Sequence, residues 1–307
     1  MPTDAHAFVK PFVVTGARTF RLRDRDTRPP GSAPAKAEAK ALLQKSIEEL
    51  SELQEKLYAQ DRWGVLLIFQ AMDAAGKDGA IKHVMSGIDP HGVQVSSFKV
   101  PSAEEIDHDF LWRTTKALPE RGRIGIFNRS YYEETLVVRV HPEFLRKQKL
   151  PDELVTKHIW KERYEDINGF ERHLSRNGFL IRKFFLHVSR DEQRRRFLER
   201  LEHPEKNWKF SMADVKERER WDDYMAAYED TIRHTATSHA PWVVVPADDK
   251  KFARLVVAST VIAALKSLKA DFPTVDAEQQ NALDEARRAL EREPKRRDRA
   301  KAPSDRK

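Results

Sequence analysis

Gly64–Val65–Leu66–Leu67–Ile68–Phe69 runs straight into Ala71–Met72–Asp73–Ala74–Ala75–Gly76–Lys77–Asp78–Gly79. An apolar run without alternation reads as a strand buried on both faces. The turn after it ends in Gly-Lys, and a helical segment follows from Ala80. This is the layout of a phosphate-binding loop: backbone N–H groups point inward, the helix offers its positive end, and the lysine adds a full charge. The usual pattern is G-x-x-x-x-G-K-[ST]. Here Ala71 replaces the first glycine, Asp78 replaces the metal-binding hydroxyl, and Asp73 adds an acid inside the turn. A carboxylate beside a polyanion needs a divalent cation between them, so the departures are as informative as the match.

Outward from the loop, strands and helices alternate. The apolar runs predict strands at Trp63–Phe69, Val93–Phe98, Ile124–Phe127, Phe179–Val188 and Trp242–Val245. Between and around them, spacing predicts helices over Ala35–Gln60, from the loop to Ile88, Ala103–Ala117, Tyr131–Arg139, Pro151–Arg176, Asp191–Leu201, Ala213–His239 and Lys250–Leu268. Repeated β-then-α units predict a five-stranded parallel sheet inside a three-layer α/β/α sandwich, with ligands at the carboxyl ends of the strands. Residues 1–34 show no period and read as an arm, 35–270 as the domain, and 271–307 as a charged tail. The stretch from about 190 to 225 reads as a helical lid, with His203–Met212 as its flap.

Composition narrows the class. The 307 residues contain no cysteine, which excludes disulfides, thiolate zinc sites and a cysteine nucleophile and suits a reducing cytoplasm. No signal-peptide pattern opens the chain, and its longest apolar stretch, Leu255 to Leu265, is far shorter than the ~20 residues of a membrane span. The net charge of +7 is misleading, because Arg287–Lys307 carries ten basic and four acidic residues and leaves +1 on the rest. That tail reads as a solvated, partly helical or disordered end, not a nucleic-acid arm. The eleven histidines have no ligand spacing and read as surface or core residues.

Lys77 is the strongest candidate, since a surface helix start otherwise favours acids. Asp73 could merely hydrogen-bond its own turn, but beside phosphates it suits magnesium or placement of the attacking group. Asp78 fits either dipole complementation or the site. A second constellation, Ile124–Phe127 followed by Asn128–Arg129–Ser130–Tyr131–Tyr132–Glu133–Glu134, puts Asn128 where a second metal-binding aspartate usually stands. Arg129 would project at the same sheet edge and grip phosphate in bidentate fashion, its rival role being an ion pair inside the turn. In the flap region Arg196 and Arg200 share one helical face and could grip consecutive phosphates. Five acids interleave, and by residue type alone an exposed, ion-paired helix is the stronger reading.

The loop run Gln70–Gly79 resembles the polyphosphate kinase 2 family. So do Ser97–Phe98–Lys99–Val100–Pro101, Phe127–Asn128–Arg129–Ser130, Tyr132–Glu133 and Glu192–Gln193 with Arg196–Phe197. Pro204 with Lys206–Asn207–Trp208–Lys209, and Ala240–Pro241–Trp242, complete the series in family order over roughly Ala35 to Lys269. The resemblance implies a P-loop kinase fold and magnesium-dependent phosphoryl transfer, with manganese as an alternative ion. By it, Asp73 and Lys77 are catalytic Walker A positions, and Asn128 and Arg129 are the Walker B pair. Ala74, Ala75, Gly76, Asp78 and Gly79 would cradle phosphate, and Arg196, Arg200, Lys206 and Lys209 would hold the polyphosphate. Lys99, Arg113, Asn128 and Glu133 would face the nucleotide.

Asn128 resembles class III of the family, associated with phosphorylating both AMP and ADP. The implied partners are inorganic polyphosphate, AMP, ADP and ATP, with guanine nucleotides open, in a cytoplasmic homo-oligomer (dimer or tetramer). Neither a membrane nor a nucleic acid is expected. Two rivals remain: an ATP-dependent nucleotide kinase, which the residues at 78 and 128 disfavour, and a non-catalytic binder of polyphosphate or nucleic acid acting through the basic tail.

Overall fold

The structure, a computed structural model, describes residues 5–16 and 19–292. Six strands form one mixed sheet: β1 (Val13–Val14), β2 (Gly64–Gln70), β3 (Val93–Ser97), β4 (Ile124–Asn128), β5 (Phe179–His187) and β6 (Trp242–Pro246), in the order β1-β6-β5-β2-β4-β3. The five strands legible in the apolar runs are parallel to one another, and β2 is buried along its whole length between β4 and β5. The expected five-stranded sheet gains a sixth strand, because β1 pairs antiparallel with β6. Two residues are too few to display a period, so the sequence hid this strand inside what read as an arm. That segment is part of the core: Val14, Phe20 and Leu22 are buried, and Phe8 and Phe12 meet Phe252 edge-on at 6.1 and 5.9 Å.

The pleat sends alternate residues of β5 to opposite helical layers. Phe185 stacks on Tyr228 of helix Trp221–Thr235, and Lys183 reaches Glu171 of helix Ile159–Arg176. Leu186 instead lies beside Ala253 of helix Lys250–Ser267. That helix packs against the long helix Lys36–Gln60 and the loop helix Lys77–Val84. The result is the three-layer sandwich expected from the sequence.

Five expected helices differ in extent. The loop helix stops at Val84, short of Ile88. The segment 103–117 is two single turns, Ala103–Ile106 and Trp112–Thr115, because Asp109 accepts the Leu111 N–H at 2.9 Å and competes with the helical ladder. The expected Tyr131–Arg139 helix is a 3₁₀ turn at Tyr131–Glu134 and a turn at Val137–Val140. The 151–176 helix starts only at Ile159, after Thr156 has taken the His158 N–H in a local turn. The 213–239 helix divides into Met212–Glu217 and Trp221–Thr235 around a 3₁₀ turn whose Arg218 reaches back to Gln193 Oε1 at 2.6 Å.

Residues up to Asp271 form one compact unit. From Phe272 onward lies a second, whose described part contains helix Ala277–Arg292; the rest of the basic tail lies outside the described residues. No described helix is long and apolar enough to cross a membrane. Parallel register brings the carboxyl ends of the inner strands to one edge: Phe69 pairs with Asn128, Gln70 with Phe185, and Ser97 with Asn128. The phosphate loop and the Asn128–Arg129 segment both leave the sheet there.

Candidate active site

Between β2 and the loop helix the chain turns through two left-handed residues, Ala74 (φ 59°) and Gly76 (φ 107°). Glycine accepts this freely; an alanine there costs about 1–2 kcal/mol, strain of the kind that gathers at functional loops. The amides that open the loop helix have no intrahelical acceptor and face the sheet edge as anion donors. Lys77 folds back on the loop and donates to the Ala71 carbonyl at 2.9 Å. Burial lowers the pKa of its ammonium, and the nearby Asp73 carboxylate opposes that shift.

Arg129 is the second strained residue, at φ 63°, with its N–H tied to the Phe69 carbonyl at 3.0 Å. Its guanidinium spans 3.2 Å to Asp73 and 3.4 Å to Glu133. Glu133 and then Asp73 raise its pKa against the pull of burial, so it is permanently charged. Gln70 donates to Glu133 at 2.8 Å, and Asn128 donates to Asp78 at 2.8 Å. Thus residues expected from two separate stretches of sequence meet at this edge: Arg129 pairs with Asp73 and Glu133, Asn128 with Asp78, and Lys77 lies within the loop between them. Arg129 therefore combines the two readings that the sequence left open: it is ion-paired, and it lies at the phosphate loop.

The segment after Arg129 is fixed from behind. Tyr131 and Tyr132 both donate to Glu171 Oε1, at 2.9 and 2.8 Å. Lys183 donates to Glu171 Oε2 at 2.7 Å, to Tyr132 Oη at 2.8 Å and to the Thr235 carbonyl at 2.8 Å. Lys183 and Glu171 are both 0% exposed. All three lysine protons are engaged, which is the condition for burying this charge without a large penalty.

Two cavities open beside the cluster. The first, about 240 Å³, is bounded by Lys99, Arg113, Arg129 and Glu133 with the rings of Phe110 and Phe144. Arg113 is braced there by the Lys99 carbonyl at 2.8 Å and by Glu105 at 3.6 Å. The second, about 280 Å³, lies against Gly76 and Gly79 and includes Arg200, Lys250 and Arg254. Arg200 is 3.8 Å from Asp214. Lys206 and Lys209 stand on a 3₁₀ turn, Pro204–Lys209, and their side chains lie outside the described residues.

Arg196 requires a correction. The expectation that it grips polyphosphate beside Arg200 does not survive its geometry, since it is 4% exposed and its N–H groups are engaged within the protein. Nε donates to Glu192 at 2.7 Å, Nη1 to the carbonyls of Ala74 and Ala75 at 3.1 and 2.7 Å, and Nη2 to those of Ala247 and Asp248 at 2.6 and 3.2 Å. Holding loop carbonyls away from the cleft leaves the loop's N–H groups to face it. Helical spacing gave no sign of this role, because periodicity says which residues share a face but not which way the face turns.

Gln193, legible only as part of a family motif, and Asp214 received no role in the site from the sequence. Gln193 donates to the Asp73 carbonyl at 2.8 Å. Burial and the Asp73 charge raise the pKa of Asp214, which places a further acid at the mouth of the site. Residue type in a mixed-charge helix assigns neither of them a role, and only the fold brings these two to the loop.

A parallel sheet with this loop and a permanently charged arginine at the neighbouring strand end defines a P-loop phosphotransferase. The sequence pattern of the family "Polyphosphate kinase 2 (PPK2)" matches residues 34–273. An "ADP-polyphosphate phosphotransferase" of Rhodopseudomonas palustris is 56% identical over 250 residues, 81% of this chain and 86% of that protein. An "AMP/ADP-polyphosphate phosphotransferase" of Meiothermus ruber is 45% identical over 243 residues, 79% of this chain and 86% of that one. The crystal structure of polyphosphate kinase 2 from Arthrobacter aurescens superposes with a TM-score of 0.82 at 40% identity, covering 92% of this chain and 97% of that one. The chain belongs to the polyphosphate kinase 2 family.

Proposed function

We propose that this chain transfers the terminal phosphate of inorganic polyphosphate to AMP and ADP, forming ADP and ATP. The observation that carries the reading is that two unlike cavities meet the cluster, one lined by Arg129 and the other by Gly76 and Gly79 on either side of Lys77. The first, with aromatic and aliphatic walls and cations at its rim, suits a nucleotide; the second, walled by cations, suits a polyanion. The names of both relatives carry polyphosphate and ADP, and that of the Meiothermus ruber relative adds AMP.

A terminal phosphate oxygen of the acceptor attacks the end phosphorus of the polymer in line. A new P–O bond forms as the bridging P–O bond breaks, and the shortened polymer leaves with the electron pair. The attacking oxygen is already ionised, so positioning and charge neutralisation do most of the work. Lys77 and the loop amides hold the transferring phosphate, and Arg129 offsets charge that develops on its oxygens. Lys99, Arg113, Asn128 and Glu133 orient the nucleotide.

Magnesium, or manganese in its place, would be held by Asp73 together with the substrate phosphates. Among the described residues no cluster of three acids or histidines forms a protein cage. The donor set nevertheless fits a hard cation that keeps most of its shell from phosphate and water, since Asp73 is only partly covered and commits Oδ1 to Arg129. When bound, the ion supplies divalent charge against the crowded phosphate oxygens. The protein works in the cytoplasm as a homo-oligomer, dimer or tetramer, the arrangement implied by family resemblance.

The test is ATP formation from ADP and polyphosphate with no other phosphate donor, with AMP and GDP as alternative acceptors. Turnover with ADP and AMP is expected. Transfer only when ATP is the donor would replace this reading with that of a conventional nucleotide kinase.

A further inference from the structure

Helix Lys250–Ser267 forms the wall of the second cavity that faces the phosphate loop. Lys250 and Arg254 are one turn apart and therefore on one face of that helix. Arg254 Nη2 lies 3.5 Å from where a Cβ would stand on Gly79, so its guanidinium rests against the first turn of the loop helix. Among the described residues no hydrogen bond or ion pair reaches the side chain of Lys250 or Arg254. Their neighbour Arg196 is the opposite case, with every donor engaged.

The cavity is lined by Arg196, Arg200, Lys250 and Arg254 with one carboxylate, Glu199, which is already 3.5 Å from Arg195. Arg196 is paired with Glu192 and Arg200 lies 3.8 Å from Asp214, so the surplus charge rests on Lys250 and Arg254. Burial, and then the charge of Arg196, lower the pKa of Lys250, and burial lowers that of Arg254. Cations crowded into a concave site with too few counter-charges raise the local concentration of anions. A guanidinium and an ammonium one helical turn apart can meet successive anionic groups of one chain. The space is continuous with the loop glycines, so an anion seated on the loop would extend into it.

We propose that Lys250 and Arg254 form an outer phosphate subsite, which holds units of the donor chain beyond the transferring one and makes the enzyme favour long donors over short ones. The inference rests on polyphosphate being the donor. It assigns to helix Lys250–Ser267 a role that the sequence placed in the loop, Arg129, Arg196, Arg200, Lys206 and Lys209.

The experiment uses the full chain and two variants, Lys250→Gln and the double variant Lys250→Gln/Arg254→Gln. The readout is kcat/KM for long-chain polyphosphate relative to tripolyphosphate at fixed ADP. The double variant should lower that ratio about tenfold, as expected for loss of a charge-assisted contact, and the single variant should lower it less. An unchanged ratio, whether both donors suffer equally or neither does, overturns the subsite. Calorimetric titration with long-chain polyphosphate gives an independent arm. About tenfold weaker binding by the double variant supports the subsite, and equal binding overturns it, even if the wild-type enzyme proves to use another donor. Displacement of the polymer by a single-stranded oligonucleotide at equal phosphate concentration would assign the cavity to nucleic acid instead.

Discussion

Lys77 and Lys183 lie on the same parallel scaffold, and burial lowers the ammonium pKa of both, yet they do opposite work. Lys183 sits wholly inside, gives its three protons to Glu171, Tyr132 and Thr235, and has nothing left for a ligand. Lys77 gives one hydrogen bond to the Ala71 carbonyl at the open edge of the sheet. The same distinction separates Arg196, engaged on four carbonyls and Glu192, from Arg129, which stands between two carboxylates at the mouth of the site. Saturated cations build this fold, and unsaturated ones are available to phosphate.

The widest separation should come from Lys77→Ala. Transfer should fall by roughly 10³-fold or more, as when a preorganised charge stabiliser is removed, while the melting temperature barely moves. Near-wild-type turnover would break the comparison at its functional end. Lys183→Met attacks the other end by leaving Glu171 buried without its partner, and should destabilise the fold by about 3–5 kcal/mol in denaturant titrations. A loss below 1 kcal/mol would mean that the buried pair does not support the Tyr131–Tyr132 segment.

Arg196→Lys should lie between these two. An ammonium cannot bridge Glu192, the loop carbonyls and the end of β6 at once, so kcat/KM should fall by roughly ten- to a hundredfold through misplacement of the loop. Its stability should drop by only about 1 kcal/mol. Full activity in that variant would remove the positioning role assigned to the clamp.

The smallest effect concerns pH. Hydrogen bonds from Arg195, and then from Arg196, lower the Glu192 carboxyl from 4.5 to about 2. The folded state therefore holds the proton less tightly than the unfolded one. The resulting stabilisation is complete above pH 4.5 and is lost as pH falls toward about 2. The difference in melting temperature between wild type and Glu192→Gln should accordingly be greatest near neutrality and shrink across that acid window. A difference that stays constant with pH would contradict the assignment.

How far the sequence revealed this molecule follows the same line. The inner strands were legible because a strand buried on both faces must be an unbroken apolar run, as at Val65–Phe69. The loop was legible because its chemistry is local: Gly76 and Lys77 act within one turn of chain. The sheet's sixth strand was not, since Val13 and Val14 gain their meaning only from Trp242 and Val243 across the sheet. Nor was the clamp, because Arg196 serves residues more than fifty and more than a hundred positions away. An arginine in a run of three looks the same whether it meets carbonyls or phosphates. Lys250 and Arg254 escaped for a related reason, as they open a helix that otherwise reads as core.

The most direct test is the rise in melting temperature that polyphosphate gives to wild type, Lys77→Ala and Lys183→Met. At a hundredfold excess over Kd, wild type should rise by roughly 5–10 °C. Lys183→Met should melt lower without ligand yet rise by the same amount, whereas Lys77→Ala should melt as wild type does and lose more than half of the rise. A full rise in Lys77→Ala, or its loss in Lys183→Met, would contradict the division between cations that build the fold and cations that bind phosphate.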